Sequence, residues 1–344
     1  MLVVNLAGHQ RQWRLPSNSD KIRITLLYGG RSGEHEISIR SADAIRRALN
    51  PGRYTVSEIL IGKDGKWNPA PLSPEPGANP GIDVVFPVLH GTFGEDGTVQ
   101  GLLEMAELPY VGGGVLSSAV SMDKPMTKRL CQQAGLPVVE YVVLSRSQTG
   151  NGVSALPFGY PVFVKPANLG SSVGITKAKN EQEFLGALGT AAQFDSSIIV
   201  ERGITGREFE CGILGGDKPR ASVPCEIIPS QEFYTYEDKY LLDKARVEIP
   251  ANLNEQQTRE IQSLAVECFK AVNCDGMARV DFLMDGATGQ FYVNEINTIP
   301  GFTSISGYPK MWEYSGIPYS KLLDTLIDLA LTRAETRRQT QYAR

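Results

Sequence analysis

IRITLLYGGRSGEHEISIRSADAIRRAL, residues 22–49, decides the fold class. Ile22 to Gly30 is an apolar, branched run that stops at two glycines, and a helical spacing of apolar residues from Ile37 to Leu49 follows directly. The pattern is a strand, a tight turn and a helix. Outward from it, Tyr54–Ile61 and Asp83–Leu89 read as further buried strands, and Thr98–Leu108 has helical spacing at Leu102, Leu103, Met105 and Ala106. Strands alternating with helices predict a mainly parallel α/β sheet. Residues 69–81 carry five prolines and two glycines and read as an exposed loop.

A helix around Met122–Ala134 leads to a second block. It has expected strands at Tyr141–Leu144, Val162–Lys165 and Ser197–Glu201 and a helix at Glu181–Ala192, a small α+β unit. A third block has strands at Glu208–Leu214, Met277–Met284 and Phe291–Glu295, with helices at Glu255–Val272 and Tyr319–Arg333. No internal repeat or low-complexity segment is present.

The chain has 344 residues, 34 Lys and Arg against 38 Asp and Glu, and a net charge of −4. No basic field is available for nonspecific nucleic-acid or membrane binding. Cys131, Cys211, Cys225, Cys268 and Cys274 form no C-x-x-C pair, and with three histidines they give no zinc-type spacing. Buried thiols in a reducing cytoplasm are expected. The first 20 residues lack the basic front and long apolar stretch of a secretory signal and read as a loose extension. No apolar run approaches the ~20 residues that span a bilayer.

Three segments offer chemistry. Lys165-Pro166-Ala167-Asn168-Leu169-Gly170-Ser171-Ser172-Val173-Gly174 puts a lysine at a strand end and then small residues between two glycines. Such a loop can aim N–H groups and hydroxyls at phosphates, although an ordinary β-hairpin turn has the same composition. Arg279-Val280-Asp281-Phe282 and Asn294-Glu295-Ile296-Asn297 lie on consecutive strands joined through Asp285–Gly289. If Asp281 faces Glu295, period-two alternation sets Arg279, Asp281, Glu295 and Asn297 on one face. Facing carboxylates and an amide oxygen suit Mg²⁺; the alternative is a salt-bridged face neutralised by Arg279. His90-Gly91-Thr92-Phe93-Gly94-Glu95-Asp96-Gly97 follows a strand, so His90 sits at the carboxyl end of the sheet, where α/β folds place ligands. The turn Gly29–Glu36 lacks the G-x-G-x-x-G dinucleotide pattern, and no P-loop occurs anywhere. Phe233–Tyr240 alternates aromatic and polar residues, as a loop over a site or an edge strand would.

Together, GGRSGEHEIS, HGTFGEDG, SSAVSMDK, VKPANLGSSVG, FYTYEDKY, RVDF and NEINTIPGFTSIS occur in the order found in D-alanine-D-alanine ligases, which the chain resembles from about residue 22 to 333. The resemblance implies a three-domain ATP-grasp fold, α/β and α+β, with an N-terminal parallel α/β domain at 21–122, a central subdomain at 123–203 and a C-terminal catalytic domain at 204–344. It implies ATP held by Lys124, Lys165, Ser171, Ser172, Glu201, Arg202, Ile204 and Glu208. Asp281, Glu295 and Asn297 match ligands of two Mg²⁺ ions, with Mn²⁺ as a substitute. Glu34 matches the residue that orients the first D-alanine, with His90 near that substrate. Arg279 and the Gly301 backbone match oxyanion stabilisers. Ser171 and Tyr240 match residues that bond to Glu34 when the 232–240 loop closes as a lid, and Ser306 matches a contact to the second D-alanine. A cytoplasmic homodimer serving peptidoglycan synthesis is the corresponding expectation.

Two positions depart from the pattern. Arg202 stands where lysine is common, and Gly307 stands where a larger side chain such as leucine often borders the second substrate, which predicts a roomier second subsite open to D-serine or D-lactate. Another ATP-grasp carboxylate–amine ligase is the nearest competing reading. An inactive ATP-binding protein would have no need of Lys165, Arg279, Asp281 and Glu295 together, and the missing dinucleotide pattern counts against an NAD-dependent dehydrogenase.

Overall fold

The computed structural model describes residues 21–149, 156–170, 173–228, 246–303 and 305–341. Its N-terminal sheet is built on β1 (Ile22–Gly29), which pairs in parallel with β2 (Tyr54–Ile61) and β4 (Val84–Val88); β3 (Trp67–Asn68) adds an antiparallel edge. The near-continuous burial of β1 and β4 is what a parallel strand covered on both faces requires. Gly29 has φ +91°, and a Cβ there would lie 2.3 Å from the Ile61 carbonyl oxygen, so only glycine makes the turn into α1 (His35–Ala48). Helices α2 (Thr98–Met105), α3 (Val115–Met122) and α4 (Lys124–Gln133) follow. Asp123 separates the last two by accepting the Met126 N–H at 2.8 Å as an N-cap.

The central sheet runs β5 (Tyr141–Ser145), β8 (Ser197–Arg202), β6 (Val162–Pro166), β7 (Thr176–Ala178), all antiparallel, with α5 (Glu181–Phe194) on one face. The C-terminal sheet has the order β12 (Arg246–Glu248), β11 (Cys225–Ile228), β9 (Gly206–Gly215), β13 (Gly276–Asp285), β14 (Phe291–Asn297), and β10 (Arg220–Ala221) pairs with β9. Phe209, Cys211, Ile213, Ala278, Val280 and Phe282 bury one face of this sheet against α6 (Glu255–Ala271). The opposite parity of β9 and β13 is thereby committed to the other face, and that parity carries Glu208, Glu210, Arg279 and Asp281.

Helices α7 (Gly307–Tyr314) and α8 (Tyr319–Arg338) return to the N-terminal sheet. Phe302, Tyr308, Trp312, Leu322, Leu323, Leu326 and Ile327 share one core with Ile24, Leu26, Val84 and Phe86. Tyr54 donates to Asp324 at 2.6 Å at the edge of this core. The carboxyl ends of β1 and β4 are thus fixed against the segment after β14. No described helix is long and apolar enough to cross a membrane. Against the sequence reading, α2 stops at Met105 because Glu107 takes φ +54°, and α3, α7 and the short strands are additions.

Candidate active site

The β13–β14 ladder sets Asp281 opposite Glu295 and Arg279 opposite Asn297, the register the alternation required. A β-bulge follows immediately: Phe282 pairs with Val293, and Asn294 is the extra residue. Val293 is therefore buried while Asn294 and Glu295 both face outward. Arg279 clamps Asp281 with two bonds, from Nε to Oδ1 at 2.7 Å and from Nη2 to Oδ2 at 2.6 Å. On the other side of β13, Glu210 is the register partner of Asp281, and its Oε1 lies 3.4 Å from Arg279 Nε. Burial, together with Glu210 and Glu295, pushes the Asp281 carboxyl up to about 7 despite Arg279. One guanidinium does not neutralise this face.

Lys165, at the end of β6, reaches the C-terminal sheet: its Nζ is 3.4 Å from Asn294 Oδ1 and feels the charges of Glu295 and Glu208. It is held by Glu201 on β8 at 2.7 Å, and Lys128 of α4 approaches the other Glu201 oxygen at 3.1 Å. Burial alone would raise the Glu201 carboxyl, but the two lysines outweigh it and hold it down to about 2. The Glu201 carboxylate therefore anchors lysines inside the protein and does not point into open space. Lys124 Nζ donates to the Leu169 carbonyl, just ahead of Gly170 in the chain. Arg202 turns away to Glu140 at 2.8 Å, leaving its backbone at the strand end. Ile204 is half-buried on the connection to β9.

The N-terminal sheet supplies the opposite wall. Glu34 is the N-cap residue of α1 but makes no side-chain cap. Its Oε2 lies where a Cβ on Gly91 would be 3.0 Å away and one on Gly170 3.7 Å away, between the two glycine loops. His90 is buried, with Nδ1 donating to the Ile299 carbonyl at 3.0 Å and Nε2 3.4 Å from Ser41 Oγ. That carbonyl can only accept, so it assigns the proton to Nδ1. Burial lowers the His90 pKa, partly offset by Glu34. Glu95 accepts the Gly91 N–H at 2.5 Å, and burial beside Glu34 pushes its carboxyl up to about 8. After β14, Asn297 Oδ1 accepts the Ile299 N–H at 3.0 Å, and Ser306 Oγ accepts the Thr303 N–H at 3.0 Å. A Cβ on Gly301 would lie 2.8 Å from Ser306 Oγ, so the backbone approaches that hydroxyl closely.

Glu34, His90, Lys165, Arg279, Asp281, Glu295 and Asn297 thus converge from three sheets. Ser171, Ser172, Tyr240 and the rest of residues 232–240, expected to act as a lid, lie outside the described residues, as do residues 1–20. The room expected at Gly307 is partly filled, because a Cβ there would meet Glu210 Oε2 at 2.9 Å. Glu210, Lys128 and Asn294 are the residues the sequence reading missed. The alternation Glu208-x-Glu210 and the four-residue step from Lys124 to Lys128 were the available signals. Among the described residues no three His, Cys, Asp or Glu side chains form a metal cage. Two opposed carboxylates and an amide oxygen on a face with excess negative charge instead fit an open Mg²⁺ site completed by phosphate oxygens and water.

Family models described as D-ala D-ala ligase N-terminus and C-terminus match residues 23–80 with 72–113, and 130–328. A D-alanine--D-alanine ligase of Solibacter usitatus is 62% identical over 327 residues, 94% of this chain and all of that one. The D-alanine-D-alanine ligase structure from Coxiella burnetii is 39% identical and superposes with TM-score 0.81, covering 93% of this chain and 96% of its own. The VanG D-Ala:D-Ser ligase structure from Enterococcus faecalis, 34% identical, also superposes at 0.81, covering 90% and 100%.

Proposed function

This chain belongs to the D-alanine–D-alanine ligase family, and we propose the roles by which its own residues carry out the ATP-dependent joining of two D-alanines. The first D-alanine carboxylate attacks the γ-phosphorus of ATP and ADP departs, leaving an acyl phosphate. The amine of the second D-alanine attacks the acyl carbon, phosphate leaves, and the amine loses a proton.

Glu34 orients the first D-alanine through its ammonium group, with neutral His90 beside it. Lys124 and Lys165 hold phosphate oxygens, and the Glu201 clamp keeps Lys165 extended toward them. Ser171 and Ser172 add hydroxyls from the glycine-flanked loop. Glu208 and Ile204, with the backbone of Glu201 and Arg202 at the strand end, border the adenosine. Asp281, Glu295 and Asn297 hold two Mg²⁺ ions, which neutralise charge on the transferring phosphoryl group when bound. Arg279 and the Gly301 N–H face the oxygen that becomes negative when the amine adds, and Ser306 contacts the second substrate. Phosphoryl transfer needs positioning and charge neutralisation above all, and these residues supply both. Tyr240 and Ser171 are assigned hydrogen bonds to Glu34 that keep water from the acyl phosphate.

The observation that carries the reading is the register of Asp281 on Glu295, on the face that Lys165 reaches from the central sheet. The proposal extends to domains at 21–122, 123–203 and 204–344 and to a cytoplasmic homodimer; the buried unpaired thiols suit a reducing compartment. ADP release measured across D- and L-amino acids and D-hydroxy acids tests it. D-alanine should be the preferred substrate, and equal turnover of an L-amino acid would refute the assignment.

A further inference from the structure

In this structure both oxygens of Asp281 are bound by Arg279. The proposed function asks the same carboxylate to bind Mg²⁺, so the guanidinium must give up at least one of those oxygens. A largely buried arginine released without a partner is costly, several kcal/mol in typical cases. The structure holds a second acceptor beside it. Glu210, buried on β9, puts Oε1 3.4 Å from Arg279 Nε, the same nitrogen that donates to Asp281 at 2.7 Å. Glu210 Oε2 points the other way, toward Gly307, with Cys225 Sγ 3.7 Å from it. A side chain at Gly307 would take that space, so the absence of a Cβ leaves Glu210 room to sit beside Arg279.

We propose that Glu210 is a positioning residue, the carboxylate onto which Arg279 moves when Asp281 turns to the metal. This rests on the metal assignment given above. It explains a buried carboxylate whose one salt bridge among the described residues is the long one to Arg279. It also keeps the guanidinium at the reaction centre in both states.

The test is Mn²⁺ binding in the presence of a nonhydrolysable ATP analogue, with free Mn²⁺ read from its EPR signal and folding checked by thermal melting. Glu210→Gln should weaken Mn²⁺ binding about tenfold, the scale of losing a partner that supports a metal ligand. In an Arg279→Ala background the same change should have almost no effect, since no guanidinium is left to move. Unchanged binding in folded Glu210→Gln overturns the proposal. So does an equal loss in both backgrounds, which would mean Glu210 acts only through its charge. If Glu210→Gln does not fold, Glu210→Asp keeps the charge but withdraws it from Arg279 and should weaken binding by a smaller factor; wild-type affinity there overturns the proposal. Asp281→Asn separates the two levels: if it binds Mn²⁺ as the wild type does, the metal assignment itself has failed.

Discussion

Asp281 and Glu295 face each other across β13 and β14 at the last paired position before Asn294 is looped into the ladder as an extra residue. Phe291 and Val293 pack into the α6 core, and unbroken alternation from them would bury Glu295. The bulge shifts the phase by one residue. It turns Glu295 and Asn297 to the site face and adds Asn294, which meets Lys165 at 3.4 Å. The hydrophobic requirement of one half of the strand and the chemical requirement of the other are met by one inserted residue.

Glu201 should govern acid stability of the central sheet. Its carboxyl is held down to about 2 against an ordinary value of 4.5, so it stabilises the fold above the ordinary value. That contribution declines as pH falls below about 4.5 and is gone below about 2. Glu201→Gln, which leaves Lys128 and Lys165 with no carboxylate between them, should lose about 3–5 kcal/mol at pH 7 and flatten this acid dependence. Urea unfolding of both proteins from pH 5 to pH 2 checks it, and parallel curves would show that the lysines are neutralised elsewhere.

Arg279 should matter for rate beyond any part it plays in folding. Removing one preorganised stabiliser of a developing negative charge typically costs ~10² to 10³ in kcat. Arg279→Ala should show that loss in its folded fraction, whatever its melting temperature, and Arg279→Lys should not restore it, because an ammonium cannot reproduce the two-pronged bond to Asp281. A variant that melts early yet keeps kcat in its folded fraction would make Arg279 a structural counter-ion.

Much of this was legible in the chain itself. The glycine-ended β1, the alternation of β13 and the placing of His90 at a strand end follow from local rules, because each depends on residues within one or two elements. What stayed hidden depends on distant partners. Glu210 gains meaning only when β9 pairs with β13, and Lys128 looks like a solvated helix residue until β8 brings Glu201 beneath it. Helix α7 begins at a glycine and carries Pro309, weak local signals that are overruled by burial of Tyr308 and Trp312 against the N-terminal sheet.

The second subsite should take D-alanine in preference to D-lactate. Tyr240 is neutral near pH 7, with a reference pKa of about 10, and so does not repel an ammonium group. The space at Gly307 is shared with Glu210, whose negative charge disfavours a carboxylate lacking a compensating ammonium. With D-alanine, D-serine and D-lactate all present from about pH 6 to 9, the dipeptide D-alanyl-D-alanine should dominate throughout. Mainly D-alanyl-D-lactate at the acid end would show that neither residue sets the choice.

The most direct measurement is the ratio of D-alanyl-D-alanine to ADP formed by the wild type and by Glu295→Gln, with Mg²⁺ and saturating ATP. The wild type should give one dipeptide per ADP and release almost no ADP without D-alanine. Glu295→Gln should form neither product while melting as the wild type does. Full dipeptide synthesis by Glu295→Gln, with an unchanged Mg²⁺ requirement, would contradict the assignment of the Asp281–Glu295 face as the centre of phosphoryl transfer.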